Sequence, residues 1–279
     1  MKICQSIDEI RQALRETRQG LKVGFVPTMG ALHEGHLSLV ERCKEQCELC
    51  VVSIYVNPAQ FGPSEDLDKY PRNLEKDLEL LSQKGVDLIF FPDNAQMYPQ
   101  GYRTWIEVEE LSEKLCGASR PGHFRGVATV VLKLCNIVRP ELMFMGLKDF
   151  QQIVVLERML QDLNSETRIV RCAIIREEDG LALSSRNAYL NPDERLRARA
   201  LNQALKTAQK RVASGLRSSA ELIREAEESV LAAGGRIDYI RIVDSDSLED
   251  AAEVDENSRM LMAVFFGNTR LIDNCSLIT

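Results

Sequence analysis

Pro27-Thr28-Met29-Gly30-Ala31-Leu32-His33-Glu34-Gly35-His36-Leu37 is the stretch that decides the fold, because it joins two different hydrophobic patterns. The mostly apolar residues 21–26 predict a strand, and the residues that follow the stretch keep a helical spacing to about residue 47. A helix that starts directly after a glycine-containing turn presents free backbone N–H groups and the positive end of its dipole. The sequence therefore predicts an anion-binding turn at this point.

Two of the three histidines of the chain lie in this turn, on either side of Gly35. Both imidazoles, of His33 and His36, could face one phosphate, since imidazole can donate hydrogen bonds to phosphate oxygens. We interpret the turn as the holder of the triphosphate of ATP. The alternative is a pair of ordinary histidines near a helix start; the glycines and the turn favour the phosphate interpretation.

Two other phosphate-binding loops are excluded by the residues present. A P-loop requires Lys and Ser or Thr after its last glycine, where this chain has His36 and Leu37. A dinucleotide-binding fingerprint requires Gly-x-Gly-x-x-Gly, which the sequence does not contain.

Composition limits the class of protein. The 279 residues suffice for one large domain or two modest ones, and 44% hydrophobic with 28% charged residues is typical of a soluble globular protein. The net charge of −7 argues against a broad nucleic-acid surface. No run is long enough to span a membrane, and the first residues do not resemble a signal peptide, so we expect no membrane partner and a cytoplasmic location.

Three of the eight cysteines have the spacing of an iron–sulfur motif. Cys43, Cys47 and Cys50 match the triplet that holds a [4Fe–4S] cluster in radical-SAM enzymes. However, Cys43 and Cys47 fall in a helical pattern and Cys50 begins an apolar strand, whereas a cluster loop should be irregular. The pattern favours buried, reduced thiols.

The rest of the chain alternates strands and helices before its character changes near residue 191. Residues 51–56 form a nearly continuous apolar run, typical of a parallel strand that is covered on both faces. Similar patterns predict strands at 86–91, 142–145 and 169–175 and helices at 74–81 and 127–138, with a polar surface flap at 66–72. Ser6-Ile7-Asp8-Glu9 has the form of a capping box and predicts a first helix before Gly20. Beyond 191 we predict one helix at 192–214, a second from 218 to 234, and strands at 237–243, 260–266 and 269–273. Gly267-Asn268 predicts a hairpin between the last two strands.

Polar side chains follow several of the predicted strands. Asn57 and Gln60 lie in the turn after residues 51–56, and their amides suit a small hydroxy acid. Lys148 and Gln152 follow the strand at 142–145, where Lys148 could meet phosphate. Arg120, His123 and Arg125 stand before the helix at 127–138 and either face an anionic substrate or simply start that helix.

A second set of phosphate donors occurs in the loop at 176–187. Gly180 and the two serines predict a mobile loop, in which Ser184, Ser185 and Arg186 offer hydroxyl and guanidinium groups. The other interpretation of this loop is a capped linker between two domains.

His33-Glu34-Gly35-His36 resembles the His-x-Gly-His signature of the nucleotidyltransferases related to class I aminoacyl-tRNA synthetases. The longer stretch at 27–36 is similar to that of the pantoate–β-alanine ligase family. The string Leu183-Ser184-Ser185-Arg186-Asn187 resembles the second signature in the form of that family, with Leu183 in place of Met. The two signatures occur in the expected order, 150 positions apart, and their joint occurrence is more specific than either alone.

The resemblance implies a Rossmann-like α/β fold, a parallel sheet flanked by helices, with a smaller C-terminal α+β lid domain. We place the nucleotide- and pantoate-binding domain at 1–176 and the lid at 177–279. The implied reaction is the ATP-dependent ligation of (R)-pantoate and β-alanine to pantothenate through a pantoyl adenylate, with release of AMP and pyrophosphate. Mg²⁺ bound with ATP and a homodimer are also implied.

The same resemblance implies the site residues. The catalytic side chains would be His36, His33 and Lys148, and the metal contact Asp77. Pantoate and β-alanine would bind Gln60, Gln152 and Asn57. The implied ATP contacts are Met29, Gly30, Ala31, Leu32, His33, Glu34, Gly35, His36, Gly146, Leu147, Lys148, Asp149, Ile175, Leu183, Ser184, Ser185 and Arg186.

Leu147 departs from the family pattern, which usually has Glu at this position. Any role of that Glu carboxylate is therefore not carried over to this chain, whereas the Lys, Asp and Gln positions beside it match. Two other functions stay open. The chain could transfer a nucleotidyl group to a phosphorylated substrate, although the strings around Gln60 and Ser185 argue against this. It could also be a degenerate RNA-binding module, which the acidic composition and the intact signature histidines disfavour.

Overall fold

The computed structural model describes residues 1–63 and 65–278. Within these residues a parallel sheet of six strands forms the centre of the larger part of the molecule. Its strand order is β1-β4-β3-β2-β5-β6. The strands are β1 Lys2–Cys4, β2 Val23–Thr28, β3 Leu49–Ile54, β4 Leu88–Phe90, β5 Leu142–Gly146 and β6 Arg168–Cys172. The predicted parallel sheet is confirmed, and the short edge strand β1 is an addition to it.

Seven helices accompany this sheet in the described part of the chain: α1 Ile7–Thr17, α2 Glu34–Gln46, α3 Leu74–Gln83, α4 Asn94–Met97, α5 Cys116–Ser119, α6 His123–Val138 and α7 Phe150–Asp162. The first begins with a capping box, in which Ser6 Oγ accepts from the Glu9 amide and the Glu9 carboxylate accepts from the Ser6 amide. Every residue of β3 is buried, as expected for a strand covered on both faces.

A second, antiparallel sheet forms the C-terminal part. Three strands follow three helices there: α8 Pro192–Ala198, α9 Ala200–Ala213, α10 Ser219–Ala232, β7 Arg236–Asp244, β8 Ser258–Phe266 and β9 Thr269–Ser276. The predicted hairpin between β8 and β9 is confirmed. The prediction of a single helix at 192–214 is wrong, because the chain forms two helices there. Arg199, with a ψ of −21° that is closer to a 3₁₀ conformation, separates α8 from α9.

Hydrophobic clusters lie on both faces of the parallel sheet and beneath the antiparallel one. Val243, Leu248 and Leu261 of the C-terminal part belong to the same cluster as α1, α6 and α7, so the two parts share apolar contacts. The boundary between residues 176 and 177 stays a prediction. None of the helices in residues 1–63 and 65–278 has both the length and the apolar character needed to cross a membrane.

The three cysteines with iron–sulfur spacing are part of the sheet core. Cys43, Cys47 and Cys50 are each at most 7% exposed. The thiols of Cys43 and Cys47 pack beside Gly24 of β2, where a side chain on that glycine would collide with the Cys43 sulfur. Among the described residues, no cluster of three or more His, Cys, Asp or Glu side chains is arranged to hold a metal ion. These thiols therefore serve as small apolar core groups.

Candidate active site

The turn after β2 is held by side chains from other elements. Gly30 and Ala31 both adopt the left-handed conformation, with φ of +79° and +51°. Asp77 of α3 accepts hydrogen bonds from the amides of Ala31 (2.9 Å) and Leu32 (2.8 Å), and Thr28 Oγ1 accepts from the Gly30 amide (3.2 Å). The amides of Gly30, Ala31 and Leu32 are thus already paired within the protein, which corrects the expectation that these amides stay free for an anion.

Asp77 is 2% exposed, and both of its carboxylate oxygens are engaged by the turn. It lines neither of the two cavities described below. The structure therefore argues against the expected Mg²⁺ contact and gives Asp77 a positioning role.

The two signature histidines are fixed in one tautomer by backbone amides. The Gly35 amide donates to Nδ1 of His33 (3.1 Å), and the His33 amide donates to Nδ1 of His36 (3.4 Å). In a neutral imidazole whose Nδ1 accepts, the proton resides on Nε2. Their ring centroids are 4.2 Å apart, so two Nε2–H donors lie side by side.

Both histidines are neutral near pH 7. Burial, with a smaller contribution from the charge of Lys148, lowers the pKa of His33 to about 4. Burial, followed by His33 and Lys148, lowers the pKa of His36 to about 3. The pair is suited to donate hydrogen bonds to developing anionic charge and not to act as an acid with a pKa near 7.

The two sequence signatures meet at one cavity of about 230 Å³. Of the predicted site residues, those that line it are Met29, His33, Gly35, His36, Asn57, Gln60, Gly146, Lys148, Asp149, Gln152, Ile175, Leu183, Ser184, Ser185 and Arg186. The predicted nucleotide contacts that line neither cavity are Gly30, Ala31, Leu32, Glu34 and Leu147. The amides of Gly30, Ala31 and Leu32 among them donate to Thr28 and Asp77.

A larger cavity of about 1030 Å³ adjoins the first and is lined by loops and helices of the larger part and by strands of the antiparallel sheet. The residues that line both cavities are Arg120, His123, Lys148, Asp149, Gln152, Ser184 and Arg186. A reaction pocket next to a roomier cleft suits a small acid beside a nucleotide.

Lys148, which lines both cavities, lies in the turn Leu147–Asp149. Lys148 Nζ lies 3.1 Å from Asp149 Oδ1. Asn274 of β9 donates to the carbonyls of Leu147 (2.9 Å) and Lys148 (3.1 Å), a contact that nothing in the local sequence indicated. Leu147 is held through its backbone while its side chain packs against the core, so this turn does not depend on a carboxylate at that position.

The side-chain amides of Asn57 and Gln60, which the sequence predicts to bind the small acid, have different roles in the structure. Asn57 is 1% exposed, and its Nδ2 donates to Gln60 Oε1 (3.0 Å) and to the Gly126 carbonyl (3.1 Å), while its Oδ1 accepts from the Tyr98 hydroxyl (2.9 Å). The side chain of Asn57 is therefore committed to the protein and orients Gln60. Within the described residues, the side-chain amide of Gln60 hydrogen-bonds to Asn57 and to the Met29 sulfur (3.0 Å), and it lines the small cavity.

Arg120, His123 and Arg125, the three candidate anion-binding residues near the start of α6, lie in different surroundings. His123 Nδ1 lies 2.8 Å from the Gln60 carbonyl, and its Nε2 lies 3.0 Å from Arg120 Nη1. Arg120 and His123 face both cavities. Arg125 instead lies over the Trp105 ring, 4.8 Å from its centroid. Burial, followed by the charge of Arg120, lowers the pKa of His123 to about 4.

Because the pKa values of the three histidines are lowered, we expect the free energy of unfolding to depend on pH in the acid range. Each has a folded-state pKa of about 3 or 4, below its ordinary value of 6.5. The unfolded chain therefore binds more protons below pH 6.5, and the free energy of unfolding should fall as the pH drops from 6.5 to 4. We expect the Tm from calorimetry to decrease over this range and, as far as the histidines contribute, to level off above about pH 7.

The control for this prediction is His123→Gln, which removes one titrating group. The variant should have a shallower dependence of Tm on pH between about 5 and 6.5 than the parent chain. A Tm that is equally steep in both proteins, or flat in the parent, would contradict the histidine origin.

Comparison with known proteins gives a consistent result. The profile of the Pantoate-beta-alanine ligase family matches residues 2–276. The pantothenate synthetases of Pelotomaculum thermopropionicum and Thermotoga petrophila are each 49% identical to this chain, over 279 and 280 residues, and at least 99% of each protein is covered.

Two solved structures are also similar. The pantothenate synthetase from Thermus thermophilus has a TM-score of 0.96 and 44% identity, with 100% of both chains covered. The pantoate-beta-alanine ligase from Francisella tularensis, complexed with beta-gamma ATP and beta-alanine, has a TM-score of 0.85 and 33% identity, with 99% of this chain and 98% of that chain covered.

Proposed function

Because the chain belongs to the pantoate–β-alanine ligase family, we propose that it joins (R)-pantoate to β-alanine at the expense of ATP, with a pantoyl adenylate as the intermediate. The products are pantothenate, AMP and pyrophosphate, so the protein is a carbon–nitrogen ligase. The observation that carries the assignment is the single cavity lined by both signatures, in which His33, His36, Lys148 and Arg186 gather.

The first step needs positioning and charge neutralisation more than covalent help. A pantoate carboxylate is ionised at neutral pH and attacks the α-phosphate in line with the leaving pyrophosphate. The two Nε2–H donors of the histidines, together with the cations Lys148 and Arg186, stabilise the charge that develops on the phosphates. Gln60 and Gln152, which also line the small cavity, hold the pantoate.

The second step forms the amide. The free amine of β-alanine attacks the acyl carbon of the adenylate, the bond between that carbon and the phosphate oxygen breaks, and AMP leaves as an anion. The attacking amine loses a proton when the C–N bond forms. Those donors that contact the α-phosphate in the first step can also stabilise the departing AMP, whereas donors to the leaving pyrophosphate act in the first step alone.

Magnesium fits the site as an ion carried by the nucleotide. Mg²⁺ is commonly bound by substrate phosphates, water and one or two carboxylates rather than by a protein cage. Asp149 lines both cavities with 47% of its side chain exposed. Burial opposes its ionisation, but the charge and hydrogen bond of Lys148, together with the charge of Arg186, leave the pKa of this carboxyl lowered. Asp149 would hold the ion, which would supply further neutralisation of phosphate charge.

Three further expectations rest on the family resemblance. Residues 177–279 would act as the lid over the nucleotide, two copies would form a homodimer, and the protein would work in the cytoplasm. The contact between the lid and the larger part along the wide cavity supports the first of these. Sedimentation equilibrium of the purified chain tests the second.

An AMP-release assay tests the function. ATP, Mg²⁺, pantoate and β-alanine are supplied together and then omitted one at a time. AMP should form only with all four, and pyrophosphate should exchange into ATP when only β-alanine is missing. Pyrophosphate release that requires a phosphorylated acceptor instead of pantoate would contradict the assignment.

Gln60→Ala should weaken the use of pantoate specifically. Loss of the amide removes hydrogen bonds to the acid, so kcat/KM for pantoate should fall by about 10- to 100-fold while KM for ATP changes by less than about twofold. Steady-state kinetics with each substrate varied measures both. Gln83→Ala at the exposed end of α3 is the control, and unchanged pantoate kinetics in Gln60→Ala would exclude Gln60 from the site.

A further inference from the structure

Two neighbouring carboxylates, those of Glu65 and Asp66, each hold one arginine of the candidate site. Glu65 accepts from Arg120 Nε (2.7 Å) and Nη2 (2.5 Å), and Asp66 accepts from Arg186 Nε (2.9 Å) and Nη2 (2.8 Å). All four side chains line the larger cavity, and both arginines also line the smaller one. Two guanidinium groups are thus oriented by one short acidic segment.

Further contacts join this segment to the loop that carries Arg186. The hydroxyls of Tyr70 and Ser185 lie 3.2 Å apart, and the Tyr189 hydroxyl donates to the Lys69 carbonyl (3.1 Å). We call these contacts, together with the pair of Asp66 and Arg186, the clasp. Tyr70 is 6% exposed, so the surface flap predicted at 66–72 is in fact docked against the loop after β6.

The ion pair is shielded enough to hold its geometry. Side-chain exposure is 23% for Asp66 and 28% for Arg186. Burial opposes ionisation of Asp66, but the hydrogen bonds and charge of Arg186 outweigh it and leave the pKa of this carboxyl lowered. A bidentate pair fixes the plane of the guanidinium, which a single contact would not do.

We propose that Asp66 is a positioning residue for the adenylation step, which fixes the Arg186 guanidinium before the nucleotide binds. The carboxylate occupies one N–H of Nε and one of Nη2, so three of the five guanidinium N–H groups remain for phosphate oxygens. A guanidinium that is already oriented loses less rotamer freedom when it binds charge. The inference rests on the proposed function, since it takes Arg186 as a ligand of the polyphosphate.

The decisive measurement separates the two half-reactions in Asp66→Asn. Pantoate-dependent exchange of pyrophosphate into ATP reports adenylation, and this rate should fall by about 10- to 100-fold because Arg186 is misplaced. The reaction of synthetic pantoyl adenylate with β-alanine reports the second step and should change by less than about twofold. An equal loss in both steps would indicate general damage to the fold and would overturn the proposal.

A double-mutant cycle tests whether Asp66 acts through Arg186. Arg186→Lys keeps the positive charge but cannot form the bidentate pair. If Asp66 works by orienting Arg186, Asp66→Asn should produce no further loss of exchange in the Arg186→Lys background. Multiplicative losses in the double variant would overturn the proposal, and Asp66→Glu should retain more exchange activity than Asp66→Asn.

The chain provides a matched control in Glu225, which binds Arg211 bidentately on the lid, far from the clasp in the sequence. The Glu225 side chain is 27% exposed, close to the value for Asp66. Glu225→Gln should leave both half-reactions unchanged within about twofold. A loss of exchange in this variant equal to that in Asp66→Asn would make the effect nonspecific and overturn the proposal.

ATP affinity gives a readout that does not need the ligase reaction. Calorimetric titration of ATP and Mg²⁺ should show about tenfold weaker binding in Asp66→Asn and in Arg186→Lys than in the parent chain. ATP binding without pantoate-dependent exchange in the parent would count against the proposed function alone. Unchanged ATP affinity in both variants would overturn the proposal that Asp66 positions Arg186 for the nucleotide.

Discussion

His36→Ala is expected to slow pantoyl-adenylate formation by about 10²- to 10³-fold. The imidazole of His36 is neutral, its Nδ1 accepts from the His33 amide, and its Nε2–H is left as a donor at the small cavity. Such a fixed donor in a partly water-excluded site stabilises charge that grows on the phosphates during transfer. The alanine variant loses this donor and keeps the rest of the cavity.

Single-turnover formation of the adenylate measures this effect, because it excludes later steps. Pantoate affinity should change far less than the rate, since the hydrogen bond strengthens mainly as charge develops. Glu41→Ala on the exposed face of the same helix is the control. A single-turnover rate in His36→Ala equal to that of the parent would remove the imidazole from the mechanism.

Asp77→Asn should damage both stability and activity. The amide can accept from one of the two turn amides but presents an NH₂ group to the other, which leaves a buried donor unpaired. Burial raises the pKa of Asp77 despite its hydrogen bonds, so the neutral amide regains part of the cost of burying a charge. We expect a net loss of about 2 kcal/mol in the free energy of unfolding and at least about a tenfold loss in kcat/KM for ATP.

Denaturant unfolding and ATP kinetics of the same preparation test this prediction. Glu75→Gln, an exposed acid on the same helix, should match the parent in both. The positioning role and the metal contact that the sequence suggested have different consequences. A higher Mg²⁺ requirement with unchanged stability in Asp77→Asn would support the metal contact, whereas lower stability with an unchanged Mg²⁺ requirement would support the hold on the turn.

Local patterns predicted most of the fold. The capping box at Ser6, the buried run of β3 and the hairpin after β8 each depend on residues that are neighbours in the chain, so their spacing alone indicates the structure. The break at Arg199 could not be predicted, because the residues around it keep a helical spacing on both sides.

Only those residues of the candidate site that lie in short sequence motifs could be predicted. The histidine pair, Lys148 and the serine–arginine loop stand in recognisable sequences. The partners that hold them are 46 positions away for Asp77 and Ala31, 120 for Asp66 and Arg186, and 127 for Asn274 and Leu147. No periodicity indicates which carboxylate or amide will face which distant group, since that depends on the packing of whole elements.

The contact between Asn274 and the Leu147–Asp149 turn has a consequence for biosynthesis. The lysine-bearing turn leaves the ribosome 127 residues before the asparagine that secures its carbonyls. At about 5–20 residues per second, this delay lasts roughly 6 to 25 s. A nascent chain can thus complete its parallel sheet while its lysine still lacks the support of the last strand, and catalytic competence arrives only once that strand has been translated.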